Sequence, residues 1–101
     1  MMVQLSILPV SGDQHISTAV AKAVKIIAES GLEYKLTPMA TLIIGEWKEV
    51  MAVAKKCHDA VRADYDRVIT QIKIDDVKDA SISFDDKINA VEKKAGKTFK
   101  K

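Results

Sequence analysis

The stretch Glu33-Tyr34-Lys35-Leu36-Thr37-Pro38-Met39-Ala40-Thr41-Leu42-Ile43-Ile44-Gly45 reads as two short strands with a tight connection between them. Tyr34 and Leu36 fall on one side of the first, and Leu42, Ile43 and Ile44 give the second a β-rich centre. Pro38 has no amide to donate and disfavours a helical residue before it, so Thr37-Pro38-Met39-Ala40 is expected to turn a hairpin between strands at 33–37 and 41–45.

Upstream, Val3, Leu5, Ile7 and Pro9 occupy alternate positions, the period of a strand with one apolar face. Ser11, Gly12 and Asp13 interrupt it, and Asp13 suits the cap of a following helix. Ile16, Val20, Ala23, Val24 and Ile27 then recur at the spacing of one helical face, and Gly31 closes the helix because glycine accepts the left-handed turn. Downstream, a second helix is expected over 47–63, with Trp47, Val50, Met51, Ala54, His58 and Val61 facing the core. Alternation returns over 67–75, where Val68, Thr70, Ile72 and Ile74 point one way and Ile69, Gln71 and Lys73 the other. Ser83 and Asp86 stand at capping-box spacing before a short third helix striped by Phe84, Ile88 and Val91. The basic tail 96–101 is expected to fray, leaving one domain over 1–95.

The order strand, helix, strand, strand, helix, strand is the split βαβ pattern of an α+β, ferredoxin-like βαββαβ sandwich: a four-stranded antiparallel sheet with two helices on one face, here followed by a short C-terminal helix. The other face is left open, with Ser6, Leu8, Ile69 and Ile44 candidates to line it, and a domain this small gains by covering such a surface with another subunit. The same topology brings 9–13 beside 37–41. That edge gathers the hydroxyls of Ser11, Thr37 and Thr41, the thioether of Met39 and the free amides of a helix start, which suits a small polar ligand. Trp47 and the Asp75-Asp76 pair belong at the opposite edge.

Composition narrows the function. The chain has 101 residues, 48% hydrophobic and 30% charged, with a formal net charge of +2. This is ordinary globular arithmetic, without the length of apolar run a membrane span needs or the basic excess that phosphate-backbone binding uses. Neither membrane nor nucleic acid is expected as a partner, and the first and last sheet strands lack the aromatic side chains on which RNA bases stack. The single cysteine, Cys57, excludes an internal disulfide and suits a reducing cytoplasm. Residues 1–10 lack the basic start and small-residue cleavage pattern of a secretory signal.

Nothing in the chain spells catalysis. His15, Cys57 and His58 form neither an HxxxH nor a CxxC pair, so no metal site is expected. No base, orienting acid and oxyanion hole accompany Cys57, which reads as a buried filler, while His58 reads as a packed residue with a hydrogen-bond partner. Asp75-Asp76 and Asp85-Asp86 are read as solvated or helix-capping carboxylates, and Ser11-Gly12-Asp13 is too poor in glycine for a phosphate loop.

Four segments together resemble the small thiamine-binding, YkoF-like family: Ile7-Leu8-Pro9, the run from Tyr34 to Thr41 with its Thr-Pro-Met-x-Thr core, Cys57-His58-Asp59-Ala60-Val61, and Ile72-Lys73-Ile74-Asp75. The resemblance implies the fold deduced above, assembly through sheets into dimers and tetramers that are dimers of dimers, and binding of thiamine or its hydroxymethylpyrimidine portion. It implies no enzymatic activity and no cofactor. It places Thr37, Met39 and Thr41 at the ligand, with Ser11 joining them by topology. This chain departs from the family's pattern at Ala40, where glycine is expected, and at Ile44, where many relatives carry an acid; the loss of that carboxylate implies weaker attraction for a thiazolium cation. The expected function is a non-catalytic, cytoplasmic homo-oligomer that binds thiamine or hydroxymethylpyrimidine. The alternative is a sheet-mediated interaction or regulatory module that binds another small metabolite or none.

Overall fold

A computed structural model of the chain describes residues 1–10 and 16–101. Seven elements follow in order: β1 (Met2–Pro9), α1 (Ile16–Glu29), β2 (Glu33–Leu36), β3 (Thr41–Ile44), α2 (Trp47–Arg62), β4 (Val68–Asp75) and α3 (Asp86–Ala95). The sheet order is β2-β3-β1-β4, antiparallel throughout. That is the ferredoxin-like arrangement the element order predicts, with β1 and β3 central and the hairpin at one side.

Alternation in β1 fixes which face is covered. Val3, Leu5, Ile7 and Pro9 are buried beneath the helices, and Gln4, Ser6 and Leu8 face the other way. Register carries this across the sheet: Leu5 pairs with Thr41 and Ile72, and Val3 with Ile43 and Ile74. Above them α2 presents Val50, Ala54, Cys57 and Val61 at helical spacing, and α1 presents Ala19, Ala23 and Ile27. The alanines let the helices approach closely enough for the Cys57 Sγ to donate to the Ala23 carbonyl at 3.4 Å.

Two expected helix faces are corrected. Trp47 is not a core residue; it is 57% exposed at the first position of α2, and the buried stripe of that helix begins at Val50 and passes through Cys57, with its neighbour His58 only half-buried. In α1 the inward stripe is led by Ala19, whereas Ile16 is exposed and Val20 and Val24 are half-buried. The larger side chains stand back because they border a cavity, described below.

Glycine matters at two joints. Gly31, at φ 80°, takes the left-handed conformation that ends α1. At Gly45 a Cβ would sit 2.9 Å from a Val50 methyl and 3.3 Å from one of Leu32, so the chain can pass from β3 into α2 at this closeness only without a side chain.

The capping expectation at α3 holds in part. Ser83 donates both its amide and its hydroxyl to the Asp86 carboxylate, at 3.0 and 2.7 Å, and these bonds hold that carboxyl below the usual range. The helix buries none of its own residues. Beyond the left-handed Gly96 the exposed C-terminal extension folds back, the Phe99 amide and the Lys101 ammonium both donating to Glu92 at 2.8 Å. The proposed helix cap Asp13 lies outside the described residues.

Candidate ligand-binding site

The hairpin turn is built by one side chain. The Thr37 hydroxyl donates to the Ala40 carbonyl at 2.6 Å and accepts from the Ala40 amide at 3.1 Å, while the Thr37 amide donates to the same carbonyl at 2.9 Å. Pro38 and Met39 form the tip between these anchors, and Met39 is 86% exposed. Thr37→Ala removes two of the three clasping bonds. It is expected to cost about 1 kcal/mol and to lower the melting temperature by roughly 4–8 °C for a domain of this size, as read by calorimetric melting.

Beside the turn, β1, α1 and the hairpin enclose a cavity of about 220 Å³. Its floor includes Leu5 and Ile7, its helical wall Ile16, Val20 and Val24, and its remaining side Leu36 and the turn itself through to Thr41. The half-buried positions of α1 are thereby explained, since Val20 and Val24 face a space and not a packed neighbour. Leu36, on the edge strand β2, borders the same space and is exposed. Thr41 is 6% exposed and is the one buried polar residue among those described. It owes that burial to its place on the helix side of β3, opposite Leu5.

Of the expected site residues, Thr37, Met39 and Thr41 border one cavity. Ser11 lies outside the described residues, as does His15. The wall runs from Leu8 near the end of β1 and resumes at Ile16, bringing those flanks of the segment beside the hairpin. Sequence reasoning missed the helical wall: Val20 and Val24 read as core because spacing alone cannot tell a packed side chain from one facing an empty space.

Ile44 does not belong to this cavity. It pairs with Met2 and Glu33 at the other end of β3 and borders a separate depression with Met1, Glu46 and Asp76. The expected departure at Ile44 therefore bears on that far edge and not on the Thr37–Thr41 side.

Among the described residues, Cys57, His58 and Asp75 are held in structural roles. Burial pushes the Cys57 thiol up to about 11, against a smaller downward pull from Lys56, so it stays protonated near neutral pH. His58 Nδ1 shares a 2.5 Å hydrogen bond with the Thr70 hydroxyl, tying α2 to β4. Asp75 pairs with Lys87 at 2.7 Å. Among the described residues no cluster of His, Cys, Asp or Glu could hold a metal ion, and no helix is long and apolar enough to cross a membrane.

The sequence model of one family, described as thiamine-binding protein, matches residues 3–92. The chain belongs to that thiamine-binding family. Among its relatives, the UPF0045 protein YqgV of Bacillus subtilis is 37% identical over 95 residues, spanning 88% of this chain and 91% of that one. The UPF0045 protein MJ1052 of Methanocaldococcus jannaschii is 30% identical over 88 residues, 87% of this chain and 88% of that one. The crystal structure of MJ1052 superposes with a TM-score of 0.82 at 29% identity, covering 89% of this chain and 93% of that one. A Thermotoga maritima structure, described as a candidate thiamine biosynthesis/salvage protein, shares the fold with a TM-score of 0.77 at 23% identity over 89% of this chain and 96% of that one. The thiamine-binding family model thus spans the sheet from Val3 onward and the described wall of the cavity, and it indicates no catalytic family.

Proposed function

We propose that this protein is a non-catalytic binding protein for thiamine or a related hydroxymethylpyrimidine, working as a cytoplasmic homo-oligomer. The observation that carries the reading is the cavity itself: an aliphatic slot, edged by the hydroxyl-bearing side chains Thr37 and Thr41 and the thioether of Met39. An aminopyrimidine presents ring acceptors and an amino donor that hydroxyls can match, and a thioether packs well against a flat heteroaromatic ring. Membership of a thiamine-binding family and the description of the Thermotoga maritima neighbour point to the same ligand class. Among the described residues, His58 is engaged by Thr70 and Cys57 is kept protonated by its burial, which supports a non-catalytic role.

The open face of the sheet supports the oligomer. Leu8 and Ile69 are cross-strand partners there, 41% and 42% exposed, and Leu42 and Ile44 lie half-buried on the same face. A second copy laid on this face removes that apolar surface from water. The alternative reading, a sheet-mediated interaction module with no ligand of this class, rests on that same face alone.

Calorimetric titration with thiamine and with hydroxymethylpyrimidine tests the proposal, with light scattering on the same sample. Saturable binding of either compound by an oligomer is the expected result. An intact oligomer that gives no heat with either compound supports the interaction module instead.

A further inference from the structure

Resting on the reading that a second copy of the chain covers the open sheet face, we infer that the two copies stack with their strands antiparallel, about a two-fold axis lying across the strands. The charges at the borders of the face carry this. Cross-strand partners share a face, so the pairings lay out successive rows from β2 through β3 and β1 to β4. One row is Glu33, Ile44, Met2 and Asp75. The next, two residues along each strand, is Lys35, Leu42, Gln4 and Lys73.

The central strands carry no charged residue on this face, and Leu42 and Ile44 lie half-buried there. Each edge strand carries an acid in the first row and a lysine in the second: Glu33 and Lys35 on β2, Asp75 and Lys73 on β4. A neutral strip between two charged borders has the layout of a subunit interface, with its apolar centre and polar rim.

Identical faces meet about a two-fold axis, and aligned sheets offer two directions for it. An axis along the strands exchanges the edges and keeps the rows. Glu33 of one copy then meets Asp75 of the other, and Lys35 meets Lys73, so like charges oppose association at both borders. An axis across the strands, passing between the rows, keeps each strand over its counterpart and exchanges the rows. Glu33 then meets Lys35 of the other copy and Asp75 meets Lys73, each pair occurring twice by symmetry, while Ile44 lies on Leu42 at the centre. A right-angle crossing lays each edge strand across the other copy's neutral strip, so the charged borders do not run together. Asp75 also pairs with Lys87 of its own chain at 2.7 Å, which makes the β2 border the sharper one to test.

The experiment is sedimentation equilibrium of the full chain at low ionic strength, comparing the unaltered protein with Glu33→Lys, Lys35→Glu and the two substitutions combined. Glu33 and Lys35 are exposed at the sheet edge, and a melting curve on each sample reports that it is folded. Each single reversal is expected to weaken association about tenfold or more, and the combined exchange to restore it to within about threefold, because it recreates the same pairs with their signs swapped. Association strengthened by Glu33→Lys overturns the inference, since the reversal would then relieve a clash with Asp75. Single reversals without effect, or an exchange that fails to restore, overturn it as well. Leu42→Lys separates this outcome from failure of the underlying reading, because it disturbs the centre of the face in every orientation. Association indifferent to Leu42→Lys, or an unaltered protein that is monomeric throughout, removes the open-face oligomer and this inference with it.

Discussion

Replacing Ile43 with alanine is expected to cost about 2–5 kcal/mol, the range for removing a buried β-branched side chain whose neighbours cannot close the space. Ile43 is fully buried on β3, which is hydrogen-bonded on both sides, pairing with Val3 of β1 and Tyr34 of β2. Central strands have little freedom to shift into a void without breaking two ladders. A domain of this size has roughly 5–15 kcal/mol in total, so the loss is a large share of the whole. Urea unfolding followed by circular dichroism measures it, with an unchanged slope and a lowered midpoint. The same substitution at Ile69, on the open face and 42% exposed, serves as the comparison. In the separated chain it is expected to cost well under half as much, and equal losses at the two positions would contradict the assignment of the core to the helix side.

Thr41→Val should abolish most ligand binding while leaving the fold intact. Valine keeps the shape of threonine and its β-branched preference for a strand, so β3 and its pairing with Leu5 persist. What is lost is the hydroxyl of a residue that is 6% exposed and borders the cavity. A ligand polar group placed against the new methyl is left without a partner, which costs about 1–3 kcal/mol and corresponds to roughly tenfold to a hundredfold in affinity. Calorimetric titration with hydroxymethylpyrimidine reads the loss, and a melting curve on the same sample confirms that the protein is folded. Affinity retained within about twofold would remove Thr41 from the site. Thr37→Ala differs in kind, because the Thr37 hydroxyl is engaged twice with Ala40 and its removal loosens the turn as well as the wall.

The central hairpin was readable because its signals are local. Pro38 marks the turn, the β-rich run at 42–44 marks the returning strand, and the alternation of Val3, Leu5 and Ile7 states which side of β1 must be covered. Periodicity was less informative at Trp47, which has the spacing of a core residue but, as the first residue of α2, stands exposed at the end of the stripe that Val50 begins. It also misjudged Val20 and Val24, whose spacing is that of a packed stripe though they face the cavity. The tail offers a parallel case. A lysine-rich terminus reads as solvated, and the acceptor that folds it back, Glu92, lies on the preceding helix. No local pattern announces a carboxylate that satisfies a backbone amide seven positions away.

The order of elements, the polarity of the sheet and the identity of its buried face were determined by the amino-acid sequence alone, because each follows from spacing along the chain and from what proline, glycine and β-branched side chains permit. The cavity was decided only by the tertiary structure. Its walls come from β1, α1 and the β2–β3 turn, segments separate in the chain, and whether apolar side chains meet or leave a space between them depends on how far α1 stands from the edge strand. The same holds for Ile44, which lies only three residues beyond Thr41 and yet borders a different depression at the other end of β3, since a strand carries its residues steadily away from the turn that begins it.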